Sequence, residues 1–360
     1  MKSKRTAIFF IFFLMLVGGM LQAEKSLELK RGEILEIGRE DMLFVSITSV
    51  CEDKDLNFYV LDSKEHKIFK FSEDGKRMFS IGQKGQGPGD FQNPHFITIS
   101  VKGHLIVADE LYDISFLDRK GTFIKRVHLD GRLSLGFIGE SLFYAWIWKP
   151  KSRTQVMVNS QNDILKTFFH VSKEDFSVSA PDDSGRLVMF NFSRAEYTPS
   201  LLFAHYGRYS AVSIGDTYDI LILDEKGDVS SRIQRQVRPE KFHKKEREYL
   251  EEDIKRKGRN RGWPRSVIHK AIKSIPDHKV FIDRILLTEK LVFVFRISED
   301  ISDEESPVPV DMFSLTGEFL GPLKLEKKPI CISEKHIYVV HTDVSGNLFL
   351  KRTEYQISGS

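Results

Sequence analysis

The sequence predicts an all-β fold: a six-bladed β-propeller with one helical insertion, its ring closed by N- and C-terminal strands in a single blade. Three observations predict it. First, the phrase Phe58–Asp62, Ile68–Phe71, Glu73-Asp74-Gly75 returns as Leu105–Asp109, Ile114–Leu117, Arg119-Lys120-Gly121. Asp62 thus recurs at Asp109 after 47 residues and Gly75 at Gly121 after 46, and repeats of roughly 40–50 residues with several short strands mark propeller blades. Second, the phrase drifts on through Val156–Val158, Ile220–Gly227, Met312–Gly317 and His336–Val340 with Leu348–Arg352. Each run is rich in Val, Ile, Phe and Tyr and closed by Asp/Gly turn chemistry. Third, about 290 residues remain once a leader and a helical stretch are set aside, which fits six blades of about 48 and not seven of about 41.

Residues 1–23 read as a signal peptide: Lys2, Lys4 and Arg5 precede the apolar run Ala7–Val17, and Leu21-Gln22-Ala23 is a cleavage site. The run is short for a membrane span, so no stable span is expected once the leader is cleaved. Residues 24–360 form one propeller domain. The chain has 54 basic and 51 acidic residues, and removing the leader's three leaves 51 against 51. A neutral mature protein argues against nucleic-acid binding. Export to the periplasm or the extracellular space is expected.

Ser26–Ile37 precedes the first full repeat, and the last repeat lacks an outer strand. Pairing the two closes the ring, because an open ring would leave sheet edges exposed. Blade one is expected over Ile47–Gly82 and blade two over Phe96–Leu129. The joint between them, Gly82–Pro94 (GQKGQGPGDFQNP), uses Gly85, Gly87 and Gly89 for positive φ. A phosphate cradle would need a helix to start here, and Phe96–Val101 reads as a strand instead. Blade three spans Leu135–His170, and its strand Leu142–Trp148 places Trp146 and Trp148 on one face. Blade four has clear strands at Ser200–Ser213 and Tyr218–Leu223, with Gly185–Phe192 as either its first strand or a surface excursion. A helical insertion over about 239–276 follows, as Glu240–Lys257 and Pro264–Ser274. It covers one edge of the propeller or acts as a lid or docking element. Blade five runs through Phe281–Ile297 and Met312–Leu325 with an acidic tip at Glu299–Glu305, and blade six is Ile330–Ile357. Cys51 and Cys331 occupy nearly equivalent places in neighbouring blades, beyond the ~7 Å Cα reach of a disulfide, and read as buried free thiols.

The phrase IGQKGQGPGDFQNP, followed by LIVAD and a fresh F-x-D-x-x-G turn, resembles the NHL-like six-bladed β-propeller family of exported bacterial proteins. The likeness covers nearly all of the chain after the leader and is sharpest in blades one and two. It implies a fold far more than an activity. Some similar propellers are enzymes that use zinc or calcium, with histidines or carboxylates from several blades converging at the channel.

One face of the ring should collect the inter-blade loops and the loops between second and third strands. The register places Gly85–Phe91, Asp62, Asp109, Asp216, His341 and Asp343 there, with His95 at the channel rim. The reading is therefore a non-catalytic binding or scaffold propeller without a cofactor. It would recognise a peptide, glycan or protein on the loop-rich face, with His95, Asp109, Trp146, Trp148, His341 and Asp343 as candidate contacts. At Asp62 and Asp109 the competing reading is an Asx turn that holds backbone N–H groups. The alternative function is a metal-dependent lyase or hydrolase, with zinc or calcium held by His95, His205 and His341. The sequence has no H-x-x-x-H pair on a helix, C-x-x-C pair or G-x-S-x-G turn.

Overall fold

The structure is a computed structural model. It describes residues 27–40, 43–109, 113–129, 135–138, 141–149, 152–172, 177–181, 187–191, 201–297, 300–303 and 305–359. The expected leader, 1–23, lies outside them.

Six four-stranded antiparallel sheets form the ring. Blade one is β2 (Ile47–Glu52), β3 (Phe58–Asp62), β4 (Lys67–Phe71) and β5 (Arg77–Ile81). Blade two is β6 (Pro94–Ile99) to β9 (Phe123–His128), and blade three is β10 (Leu135–Phe137) to β13 (Ile164–Ser172). The sequence left two roles open for Gly185–Phe192, and its described part, 187–191, is not a strand of blade four. β14 (Ser177–Pro181) pairs with β15 (Leu187–Asn191) in a hairpin of its own. Blade four starts only at β16 (Leu201–Tyr206) and ends with β19 (Val229–Gln234), and blade five is β20 (Ile282–Leu287) to β23 (Phe319–Leu325). Blade six is β24 (Cys331–Ile332), β25 (His336–Thr342) and β26 (Leu348–Gly359), completed by the N-terminal β1 (Leu27–Ile37). The pairing runs from Leu27↔Gly359 to Ile37↔Leu350. The ring thus closes through strands from both ends of the chain, as the missing outer strand requires.

The middle strands are buried on both faces, because each blade packs against a neighbour on either side. Every residue of β3 (FYVLD) and β7 (Leu105–Asp109, LIVAD) is buried. These strands therefore read as continuous apolar runs rather than alternating ones. Outer strands such as β5 are mostly exposed. The seam between blades six and one shows the packing: Phe58 stacks on Phe71 at 5.1 Å and meets Tyr338 of blade six at 5.6 Å.

The glycine-rich joint serves different ends from those its sequence suggests. Gly82 and Gly89 adopt positive φ, at 88° and 83°. Gly85 and Gly87 instead make room for the Asp90 carboxylate, which a Cβ on either would meet. Arg126 clamps the loop by donating to the carbonyls of Gln86 at 3.1 Å and Asp90 at 2.8 Å.

The insertion forms α1 (Lys244–Asn260) and α2 (Arg265–Lys273). α1 starts later than the charge pattern predicts. Glu246 folds back to accept from the His243 backbone N–H at 2.8 Å, which sets the helix start there. Leu250, Ile254, Ala271 and Ile275 make a small core against Ile301 of the blade-five tip. The Glu246–Lys279 pair, 2.6 Å apart and 1 % exposed on both sides, fastens that core to the chain entering blade five.

Candidate functional site

Asp62 and Asp109 hold their blades together. The carboxylate of Asp62 accepts from the N–H of Val45 at 2.6 Å and of Ser46 at 3.1 Å, and also from Lys64 and Glu65. Asp109 accepts from Gln92 at 2.8 Å and Asn93 at 2.6 Å. Each side chain, standing at the end of a second strand, pins the loop that delivers the innermost strand. The Asx-type role weighed for both is what the geometry displays, with their oxygens turned to backbone N–H groups.

Among the described residues, His341, Asp343 and His95 take separate places. His341 takes the Asp62 place in blade six: Cys51 pairs with Tyr59 as Cys331 pairs with Tyr338, three residues earlier in each second strand. Its ring stacks on Phe349 at 5.4 Å. Burial, then Lys327 and Lys351, push its pKa down. Asp343 opens the turn after β25, where it accepts from the N–H of Ser345 and Asn347 at 2.8 and 2.9 Å, and these bonds hold its carboxyl below the usual range. His95 sits at the start of β6, its pKa lowered by burial. The side chains of Trp146 and Trp148 lie outside the described residues.

Of the expected metal trio, His205 lines a cavity. Its Nδ1 lies 3.0 Å from Ser210 Oγ, which donates to the Phe137 carbonyl at 3.2 Å. The imidazole Nδ1–H is then the donor, and Nε2 is left as an acceptor. Burial lowers its pKa to about 4. His95 begins its innermost strand, His205 stands near the far end of its own, and His341 is on a second strand. Among the described residues, no three His, Cys, Asp or Glu side chains form a metal-holding group.

The cavity is the central channel itself, about 530 Å³, walled by the innermost strands of blades one, two, four, five and six. Ile97, Phe203, Leu287 and Ile332 contribute apolar wall. It extends to the turns between first and second strands, where Lys54, Gly103, Arg208, Glu289, Glu334 and Lys335 ring the mouth. The mouth formed by these described residues is at the opposite end from the glycine-rich joint and the helical insertion.

Cys51 and Cys331 are both free, buried and part of this wall. Burial pushes both thiols up, and each gains a further push from neighbouring acidic groups. They are poor nucleophiles in that state.

Sequence reasoning missed Glu52. It ends β2 (ITSVCE), a strand buried except at Thr48, and its side chain is 2 % exposed. Its Oε2 accepts from the Tyr338 hydroxyl at 2.5 Å and faces His336 Nδ1 at 2.6 Å. The signal was there in outline: a Glu just before a turn, and a His and a Tyr two apart on one face of a strand in the neighbouring blade.

Residues 35–178 match the model of the DUF5128 family, described as a 6-bladed beta-propeller. Among solved structures, the chain is similar to a DUF4221-family protein from Bacteroides vulgatus, at 11% identity and a TM-score of 0.52, covering 94% of this chain and 100% of that one. It is equally similar to a protein from Bacteroides fragilis described as a candidate exported protein, at 12% identity and TM-score 0.52, covering 94% and 97%. No curated protein matches the sequence. The resemblance carried by the first two blades therefore holds at the level of the fold.

Proposed function

We propose that this chain is an exported, non-catalytic binding propeller that holds a short peptide in its central channel, entered from the turn end. The observation that carries this reading is the cavity of about 530 Å³ shared by five blades. Its size falls within the roughly 300–1,000 Å³ of small-ligand sites. The apolar wall suits side chains. The mouth offers both signs of charge, with Lys54, Arg208 and Lys335 against Glu289 and Glu334, which suits a molecule with an ammonium and a carboxylate. The leader-like start of the sequence supports export. The thiols in the wall, held protonated by burial, offer no nucleophile.

The test is retention of tripeptides from a mixed-sequence library, read by native mass spectrometry. Val101 is exposed at the cavity edge, so Val101→Trp narrows the mouth without entering the core. The wild type should retain peptides and Val101→Trp should lose most of them. Equal retention by both would place binding elsewhere.

A further inference from the structure

Three acidic side chains and a phenol gather in this channel. Burial raises the pKa of Tyr206, on the innermost strand of blade four, and Cys331, Glu52, Glu334 and Glu289 raise it further in that order. Tyr206 lines the channel together with Glu52, whose blade lies three places round the ring. Glu334 and Glu289 stand at the mouth, linked by a bond from the Glu289 backbone N–H to the Glu334 carboxylate.

Glu52 differs from those two. It is buried, and both of its bonds fall on one oxygen: Tyr338 and His336 each engage Oε2. Among the described residues Oε1 has no hydrogen-bond partner, although Glu52 is part of the cavity wall. Oε1 is not sealed off from solvent: it is open to the cavity, where water or a ligand group can donate to it. Fixing the other oxygen by two donors orients the group before a ligand arrives, which removes an ordering cost from binding.

We infer that Glu52 Oε1 is the receptor for a primary ammonium group of the ligand, and that Tyr206 closes the far side of that group. This rests on the channel being the binding site and names what the channel selects. An ammonium suits the place on three counts. It has three donors and no acceptor. It would bridge a carboxylate and an aromatic ring at short range. It would leave the ligand's carboxylate toward Lys54, Arg208 and Lys335. The peptide then enters amino end first. His336 and Tyr338 are positioning residues, acting on the ligand through Glu52.

The experiment compares two tripeptide libraries of the same composition, one with free amino ends and one N-acetylated, on the full chain. Acetylation removes the ammonium and changes nothing in the protein, so no variant has to fold for the result to count. The free library should be retained at least tenfold better, with that preference lost in Glu52→Gln. Tyr338→Phe, which removes one donor to Oε2 and keeps the ring, should reduce the preference to an intermediate value. Equal retention of the two libraries by the wild type would overturn the ammonium assignment and leave the channel reading standing. Preference for free ends that survives in Glu52→Gln would assign the contact to another group and also overturn it. Retention of neither library would overturn the channel reading, and the inference with it.

Discussion

The two ends of the channel are built from different material. At the inter-blade end the chain invests in length: a glycine-rich loop clamped by Arg126, a separate β14–β15 hairpin, and two helices with their own core. At the turn end the connections are brief, as between β16 and β17 (Tyr209–Ile214), where only Gly207 and Arg208 intervene. Yet the described cavity is at the turn end. Length and composition made the inter-blade end look functional, and packing has used much of that length internally. The insertion is tied by the buried Glu246–Lys279 pair, and Glu246 also accepts from the backbone of Ile301 at 3.1 Å. The turn end instead brings Lys54, Arg208, Glu289, Glu334 and Lys335 to the rim of the cavity.

The largest effect expected from breaking this contrast is at the tie itself. Glu246→Ala leaves the buried Lys279 ammonium without the carboxylate 2.6 Å away. Removing one partner of a buried pair costs about 3–5 kcal/mol. Limited proteolysis should then cut within 244–276 while the propeller core resists. Replacing both partners, Glu246→Met with Lys279→Met, should restore only part of the protection, because the His243 and Ile301 N–H groups then lose their acceptor. If Glu246→Ala stays uncut, the insertion does not depend on that pair.

Next comes the regular frame of the inter-blade end. Asp62→Ala removes the acceptor for four backbone N–H groups, and Asp109→Ala for two. At about 1–3 kcal/mol for each donor left buried, and with water reaching some of them, Asp62→Ala should cost about 3 kcal/mol and Asp109→Ala less. Urea midpoints decide the order. An Asp109→Ala that is the worse of the two would mean the two blades are not pinned in the same way.

The turn end should show itself through pH. His205 is partly reached by solvent through the cavity yet set deep in its wall, and its pKa falls to about 4. The unfolded chain binds this proton near 6.5. Between those values the unfolded state holds more protons, so stability rises with pH across the window and is lost as pH falls from 6.5 to 4. Discounted for water in the channel, the loss is about 2 kcal/mol. Urea titrations at several pH values should show it, and His205→Gln should flatten that part of the curve. An unchanged slope in the variant would assign the acid sensitivity to other groups.

Most of the fold was legible because the repeat is written in burial. A strand packed on both faces must be apolar throughout, so FYVLD and LIVAD stand out and their spacing gives the blade. The closing strand followed from counting edges. The cavity was not legible in the same way. Its wall is made of short runs from five innermost strands far apart in sequence, and those strands carry no shared phrase. Asp62 and Asp109 were found because they repeat, and repetition proved to signal a joint rather than a site. Glu52 does not repeat: the equivalent place in blade two is Ile99, and in blade six Ile332. A charge that breaks the blade pattern at the channel was the better clue.

The smallest effect expected on stability lies at the mouth. Lys54, Arg208 and Lys335 are exposed. Changing each to Gln should move stability by about 0.5 kcal/mol or less, since such surface charges add little. Their influence should appear in rates instead. Rim charges steer a charged ligand at a distance and are screened by salt. The triple variant should therefore slow peptide association several-fold at low ionic strength and converge on the wild type near 0.5 M salt, with dissociation little changed. Stopped-flow association at two salt concentrations separates the outcomes. A slower on-rate that ignores salt would mean that these side chains shape the mouth sterically, and a faster off-rate would mean that they hold the bound ligand. The contrast between the two ends predicts neither, because a rim that only steers is what short, exposed turns around a preformed cavity can supply.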